Sequence, residues 1–144
     1  MTRKLIIAAA IAALVGVSSA PAFANSISIQ QNGWGHAAGG GQNGRHNVIG
    51  VHQGGWFNQG IANQNGRRNT AAIGQEGFNN YGETNQRGRN NAAGIGQFGA
   101  NHNAVISQDG NGNVAAGVQV GNGCSANVVQ AGRGNVSAFV QTCN

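Results

Sequence analysis

Residues 86–97 read QRGRNNAAGIGQ, and residues 108–119 read QDGNGNVAAGVQ. In both stretches Gly follows the first Gln by two residues, Asn follows it by five, and a second Gln follows it by eleven. This spacing continues along the sequence without an insertion or deletion, at Gln31, Gln42, Gln53, Gln64, Gln75, Gln86, Gln97, Gln108, Gln119, Gln130 and Gln141. Strict self-similarity over this length indicates a stacked repeat architecture.

Two further places in the unit are nearly invariant, where the place of a residue is its distance after the Gln that opens its unit. Place 2 holds the glycines Gly33, Gly44, Gly55, Gly66, Gly77, Gly88, Gly99, Gly110, Gly121 and Gly132. Place 5 holds Asn47, Asn58, Asn69, Asn80, Asn91, Asn113 and Asn135, with His36, His102 and Cys124 as exceptions. Small or aliphatic residues occupy place 7 and most positions of place 9, so the unit is QxGxxNx(A/G/I/S)x(I/V/A)x.

The unit predicts a strand followed by a turn. From Asn to the next Gln and its Gly, the recurring residues alternate with variable ones, and a period of two is typical of a β-strand. The glycine and the pair that follows it, such as Arg45-His46 or Asn111-Gly112, are typical of a tight turn. We therefore expect eleven strands, from residues 25–31 to residues 135–141, with place 2 occupied by turn glycines.

Coiling of these units predicts an all-β fold, a two-sheet β-solenoid (β-helix) of 11-residue strand-turn units with 22 residues per rung and about 5.5 rungs. Isolated hairpins would be marginally stable, whereas coiling stacks residue i on residue i+22. Places 7 and 9 then face each other, and they pair large with small residues, as in Ile49 with Ala62 and Val51 with Gly60. The interior Gln and Asn residues would form an amyloid ladder, each amide bonding its copy ~4.7 Å above and below.

Composition argues against a conventional globular core, because the 144 residues include 26 Gly and only 6% aromatic residues. Residues 1–24 are predicted to be a secretory signal peptide, with Arg3 and Lys4 before an apolar run and the cleavage site Ala22-Phe23-Ala24. The predicted mature chain, residues 25–144, would form the solenoid. It contains six Arg, three acidic residues and no Lys, a formal net charge of +3.

Catalytic chemistry finds little support in the sequence. His36 and His102 take Asn places, the other two His lie in a turn and on an outward strand place, and the three acidic residues lie at unrelated places, so no pair suits general acid and base roles. No His spacing is typical of a metal site. We therefore expect no enzyme activity, no cofactor, no metal and no small-molecule substrate.

The in-phase units, of which residues 86–97 and 108–119 are examples, resemble the curlin repeats of curli fibre subunits over essentially the whole predicted mature chain. The resemblance implies a structural amyloid subunit, exported through the outer membrane of a Gram-negative cell and polymerised on its surface into biofilm matrix. It also implies a nucleator subunit and the curli secretion machinery as partners. No helix or charged cap is predicted over either terminal rung, which favours self-association by end-to-end stacking.

Two alternatives remain open from the sequence. Curli fibres contain major subunits and minor, nucleating subunits. The major subunit has a Gly-rich leader and usually ten strands, whereas these eleven units begin at the predicted cleavage site. The second alternative is a non-polymerising, Gly/Asn-rich secreted adhesin.

The two cysteines are predicted to lie close together, because Cys143 would stack on Gly121, which shares a turn with Cys124. A disulfide and two free thiols are both compatible with this placement.

Place 3 has its own 22-residue period. Aromatic residues (Trp34, Trp56, Phe78) would stack on one edge of the solenoid and arginines (Arg45, Arg67, Arg89, Arg133) on the other. The arginine row predicts either binding of anionic polymers, such as nucleic acid or acidic polysaccharide, or protection against premature aggregation.

Overall fold

The computed structural model describes residues 24–144, so residues 1–23, with most of the predicted signal peptide, lie outside the described residues. Over the described range the chain forms eleven strands. They are β1 (Ser26–Trp34), β2 (Ala37–Arg45), β3 (Val48–Trp56), β4 (Gln59–Arg67), β5 (Thr70–Phe78), β6 (Tyr81–Arg89), β7 (Ala92–Ala100), β8 (Asn103–Asn111), β9 (Val114–Asn122), β10 (Ser125–Arg133) and β11 (Val136–Cys143).

The strands alternate between two parallel sheets. The odd sheet has the order β1-β3-β5-β7-β9-β11, and the even sheet has the order β2-β4-β6-β8-β10. Every pair is in register at an offset of 22 residues, so that Gln53 pairs with Gln75 in one sheet and Gln64 pairs with Gln86 in the other. The predicted all-β, two-sheet β-solenoid with 22 residues per rung is confirmed.

The predicted strand bounds were wrong by one to three residues. Strand β3 begins at Val48, one residue after Asn47, and continues past Gln53 to Trp56. Strand pairing persists through the place 2 glycines, since Gly55 pairs with Gly77 although its φ is 99°. Only places 4 and 5 connect consecutive strands, so Asn at place 5 lies in the corner rather than in the strand.

Each corner turns at place 4, within the predicted tight turn, but the sequence analysis did not identify the left-handed conformation of this place. Residues at this place have φ between 54° and 72°, the left-handed region, which L-residues other than Asn and Asp seldom adopt. Gly or Asn occupies the place in seven of the ten corners, for example at Gly112 and Asn79, and that bias was the available signal. Phe57 and Arg68 adopt the same left-handed conformation although neither is Gly or Asn.

The core is a thin double layer of inward residues from the two sheets. Ile49, Ile73 and Ile106 are at most 2% exposed. A Cβ atom added to Gly60 would lie 2.9 Å from Cγ1 of Val51, as the expected pairing of large with small residues requires. At the last rung, the Phe139 ring fills the space beside Gly117.

Candidate assembly site: interior ladders, edges and open ends

The glutamines at place 0 form two continuous amide ladders. In each of the nine steps among the described residues, Nε2 of one Gln donates to Oε1 of the Gln 22 residues later, at 2.7–2.9 Å. Gln53, Gln75 and Gln97 are completely buried. A buried amide without a partner costs about 1–3 kcal/mol, and these bonds avoid that cost.

The same amides also connect the two sheets. Nε2 of Gln75 donates to the carbonyl oxygen of Gln59 at 2.9 Å, and Nε2 of Gln53 donates to that of Ala37 at 3.1 Å. Each of these carbonyls lies 16 residues earlier, at the start of a strand in the facing sheet. One glutamine therefore stabilises both the stacking of rungs and the closure of a rung.

The asparagines at place 5 do not form the amide-to-amide ladder that we expected. Oδ1 of Asn47 accepts from the backbone N–H of Asn69 at 3.1 Å, and Nδ2 of Asn47 donates to the carbonyl oxygen of Gly66 at 3.1 Å. The shorter Asn side chain lies at a corner, where these backbone groups are within reach. An amide-to-amide bond occurs between Asn135 and Asn113, at 3.1 Å.

The histidines at place 5 bond backbone groups at the corners in the same way as the asparagines. Nδ1 of His36 accepts from the backbone N–H of Asn58, and Nδ1 of His102 accepts from that of Cys124, both at 3.2 Å. Nε2 of the buried His102 lies 3.2 Å from the carbonyl oxygen of Phe98. These two rings therefore stand in for the Asn side chain.

The place 2 glycines form two columns, one near the carboxyl ends of the odd strands and one near the carboxyl ends of the even strands. They all have positive φ, between 99° and 130°, and their carbonyl oxygens accept bonds from Asn side chains, as in Asn69 to Gly88 at 3.2 Å. A Cβ atom on Gly88 would overlap the carbonyl oxygen of Gly110 in the next rung. The close approach of rungs at this column requires glycine.

Cys124 and Cys143 form a disulfide, with their Cα atoms 5.5 Å apart. Cys124 occupies the corner after β9 and is 1% exposed, and Cys143 ends β11, where it pairs with Gly121. The bond attaches the last strand to the rung beneath it.

The place 3 residues form two chemically different edges. The aromatic edge comprises Trp34, Trp56 and Phe78, which pair in register at the ends of β1, β3 and β5. Phe57 packs on it, with its ring edge-on to Phe78 at 5.8 Å between centroids.

The arginine edge lies at the ends of the even strands. Arg45, Arg67 and Arg89 pair in register there, followed by Asn111 and Arg133. Nε of Arg89 donates to Oδ1 of Asn111 at 3.1 Å. The edge is therefore a column of cationic side chains with one amide inserted in it.

Ionisable groups elsewhere on the described surface form small local pairs. His52 and Glu76 lie 2.9 Å apart on the outer face of the odd sheet. The Tyr81 hydroxyl donates to Glu83, and this hydrogen bond, with smaller effects of burial and of the Glu83 charge, raises the pKa of Tyr81 to about 12. Residues 24–144 contain no cluster of three or more His, Cys, Asp or Glu that could hold a metal ion. No helix long and apolar enough to cross a membrane occurs in the same range.

Both ends of the solenoid are open. Ile27 and Ile29 on β1 point inward yet are 51% and 43% exposed, whereas the equivalent Ile49 and Val51 on β3 are at most 3% exposed. Within the described chain, no donor reaches Oε1 of Gln31 or Gln42, and Nε2 of Gln130 and of Gln141 donates to a backbone carbonyl but to no side-chain amide. Within residues 24–144, each end therefore exposes part of the core. One end also presents glutamine acceptors without a donor, and the other presents glutamine donors without a side-chain acceptor.

Comparison with known families matches residues 77–110 to the curlin associated repeat. The matched segment contains β6, β7 and most of β8, with the ladder residues Gln86, Gln97 and Gln108. No curated protein matches the chain. Over residues 77–110, the match confirms the resemblance that the 11-residue units indicated.

Proposed function

Because this chain carries the curlin associated repeat, we propose that it is a structural subunit of curli-like extracellular amyloid fibres, which it builds by stacking solenoids end to end. The curlin family is structural, and its members assemble into extracellular surface fibres. Support for adhesion and biofilm matrix as the purpose of the fibre comes from this family relationship.

The observation that carries the proposal is the pair of open ends. One end presents unused amide acceptors and half-exposed isoleucines, and the other presents unused amide donors beside Val128 and Phe139. Stacked copies would satisfy the ladders and bury the exposed core residues, and unpaired strand edges promote this kind of association.

Export belongs to the same proposal. Residues 1–24 would act as a cleaved signal peptide, leaving residues 25–144 as the amyloid core. A nucleator subunit and the outer-membrane curli secretion machinery of a Gram-negative cell would be its partners. A minor, nucleating role in the same fibre is the alternative, and the two roles differ in whether the purified chain alone forms long fibres or only seeds those of another subunit.

The proposal is tested by incubating residues 25–144 at several concentrations. We expect fibres that grow faster at higher concentration and that diffract at spacings near ~4.7 and ~10 Å. A chain that stays monomeric for days under the same conditions would instead support the non-polymerising adhesin.

The disulfide is expected to stabilise the last rung. Closure of the loop between Cys124 and Cys143 adds about 3 kcal/mol by loop entropy, so reduction should lower the thermal midpoint of the soluble chain by several degrees. The double variant Cys124→Ser/Cys143→Ser controls for other effects of the reductant, since its midpoint should not respond. Titration of the unreduced wild-type chain should find no reactive thiol, and two thiols per chain would show the bond to be absent.

The arginine edge is proposed to bind anionic polymers. We expect Arg45→Gln/Arg67→Gln/Arg89→Gln fibres to keep the wild-type diffraction but to lose most of their salt-sensitive binding to DNA or to an acidic polysaccharide, because stacked charges attract polyanions. Comparison of Arg89→Gln with Arg87→Gln, on the outer face of β6, separates the edge from net charge. Undiminished binding with a shorter polymerisation lag would leave protection against early aggregation as the role of the arginines.

A further inference from the structure

The glutamine ladders have a direction, which determines how two copies can meet. Every ladder bond among the described residues runs from Nε2 of the lower-numbered Gln to Oε1 of the higher-numbered one. The end with β1 and β2 therefore presents acceptors, and the end with β10 and β11 presents donors. Two like ends cannot continue the ladder, because acceptor would meet acceptor or donor would meet donor. Opposite ends can form the hydrogen bonds between their glutamine amides. Copies consequently stack head to tail.

The two sheets contain different numbers of strands, which restricts how successive copies can join. Residues 26–143 place six strands in the odd sheet and five in the even sheet. If each sheet continued into the same sheet of the next copy, the even sheet would be short by one strand, about 4.8 Å, at every junction. The facing edges of β10 and of the next β2 would then lie unpaired, and the ladder from Gln130 to Gln42 would be broken. Buried polar groups without partners are costly, which disfavours this junction.

We propose that successive copies are related by a half-turn about the fibre axis, so that β1 of the next copy stacks on β10 and its β2 stacks on β11. This rests on the proposed function. The next copy then continues the coil as an unbroken chain would, and both sheets receive eleven strands from every two copies. Gln130 donates to Gln31 of the next copy, and Gln141 donates to Gln42.

Packing at the half-turn junction is compatible with the inward side chains. Val128 would stack on Ile29 of the next copy, and Ala126 on its Ile27, which covers both exposed isoleucines. Phe139, whose ring already fills the space beside Gly117, would lie under Gly40 of the next copy. The largest inward residue of the last rung thus meets the smallest residue type.

The half-turn also arranges the two edges of the fibre. The aromatic edge follows the odd strands and the arginine edge follows the even strands, so the exchange of sheets exchanges the edges. Each side of the fibre would show aromatic and arginine segments in alternation. One copy rises about 26 Å, and the pattern repeats every two copies, about 53 Å.

Cross-linking of paired cysteine variants tests the junction. Ser28, Asn127 and Ala138 are exposed, outward residues at equivalent strand places on β1, β10 and β11. The half-turn puts Ser28 of the next copy beside Asn127, and continuation of the same sheet puts it beside Ala138. Neighbouring strands are close enough for a disulfide, whereas in one chain β1 and these strands lie at opposite ends. Fibres of Ser28→Cys/Asn127→Cys and Ser28→Cys/Ala138→Cys are oxidised and run on a denaturing gel.

We expect a ladder of covalent oligomers from Ser28→Cys/Asn127→Cys and chiefly monomer from Ser28→Cys/Ala138→Cys. The reverse result, or fibres of both variants without cross-links, would overturn the half-turn while leaving fibre formation intact. Wild-type fibres provide a second measurement by electron microscopy, with about 180° of rotation per ~26 Å expected. A rise of ~29 Å without the half-turn would also reject the inference, and absence of wild-type fibres would reject the proposed function itself.

Discussion

Gly88→Ala is expected to abolish fibre growth on the time scale on which the wild-type chain polymerises. Gly88 has φ of 110°, and an added Cβ atom would overlap the backbone oxygen of Gly110 directly above it. Backbone cannot move aside without separating β6 from β8, which would also disturb the bond from Asn69 to the Gly88 carbonyl. Because the variant combines a strained conformation with a backbone clash, we expect its free energy of unfolding to fall by about 4 kcal/mol or more.

Gly94→Ala is the matched control for this prediction. Gly94 lies on the outer face of β7, its φ is not in the left-handed region, and an added Cβ atom would meet nothing within 4 Å. Alanine should be neutral or stabilise the strand by about 0.5–1 kcal/mol. Lag time, growth rate and denaturation midpoint are compared for the two variants, and equal values would mean that the rungs do not approach closely at the place 2 column.

Gln75→Ala is expected to lower the free energy of unfolding by about 3 kcal/mol or more and to lengthen the polymerisation lag severalfold. The fully buried Gln75 amide accepts from Gln53 at 2.8 Å and donates to Gln97 at 2.8 Å. Its removal leaves Gln97 Oε1 without that donor and deprives the Gln59 carbonyl of its side-chain donor. Each buried group left without a partner costs about 1–3 kcal/mol, and the cavity adds to the loss.

Gln59→Ala removes the same chemical group from the outside of the solenoid. The Gln59 side chain is exposed and makes no hydrogen bond to any of residues 24–144, and its backbone carbonyl would still accept from Gln75 in the variant. We expect a change within about 0.5 kcal/mol and a wild-type lag. If Gln59→Ala and Gln75→Ala had equal effects on denaturation and lag, the interior ladder would not be what holds the rungs together.

Much of the solenoid fold could be predicted from the repeat, because an 11-residue period strongly constrains the fold. An 11-residue unit with alternating places permits only a strand and a turn, and uninterrupted repetition sets the register of every strand pair at once. The columns of Gln75 and its copies, of the place 2 glycines, and of the aromatic and arginine edges all follow from that register. A one-residue error would have exchanged inward and outward faces in every strand.

Other features depended on three-dimensional distances that a period does not contain. The repeat marked Asn69 as an interior residue, but only the folded corner shows that its side-chain amide bonds the backbone groups of Gly88 and Asn91. The left-handed conformation of Phe57 and Arg68 is imposed by the corner against the preference of either residue.

By itself, then, the sequence determined which residues stack, because identical spacing can be satisfied only by identical register. Tertiary structure alone decided where strands end, how the buried Gln and Asn amides are satisfied and which ladder atoms remain without a partner at the open ends. These depend on how far a side chain reaches and which way it points once the chain has turned. Gln75, inside a strand, bonds its copy in the next rung, whereas Asn47, at a corner, bonds backbone groups instead.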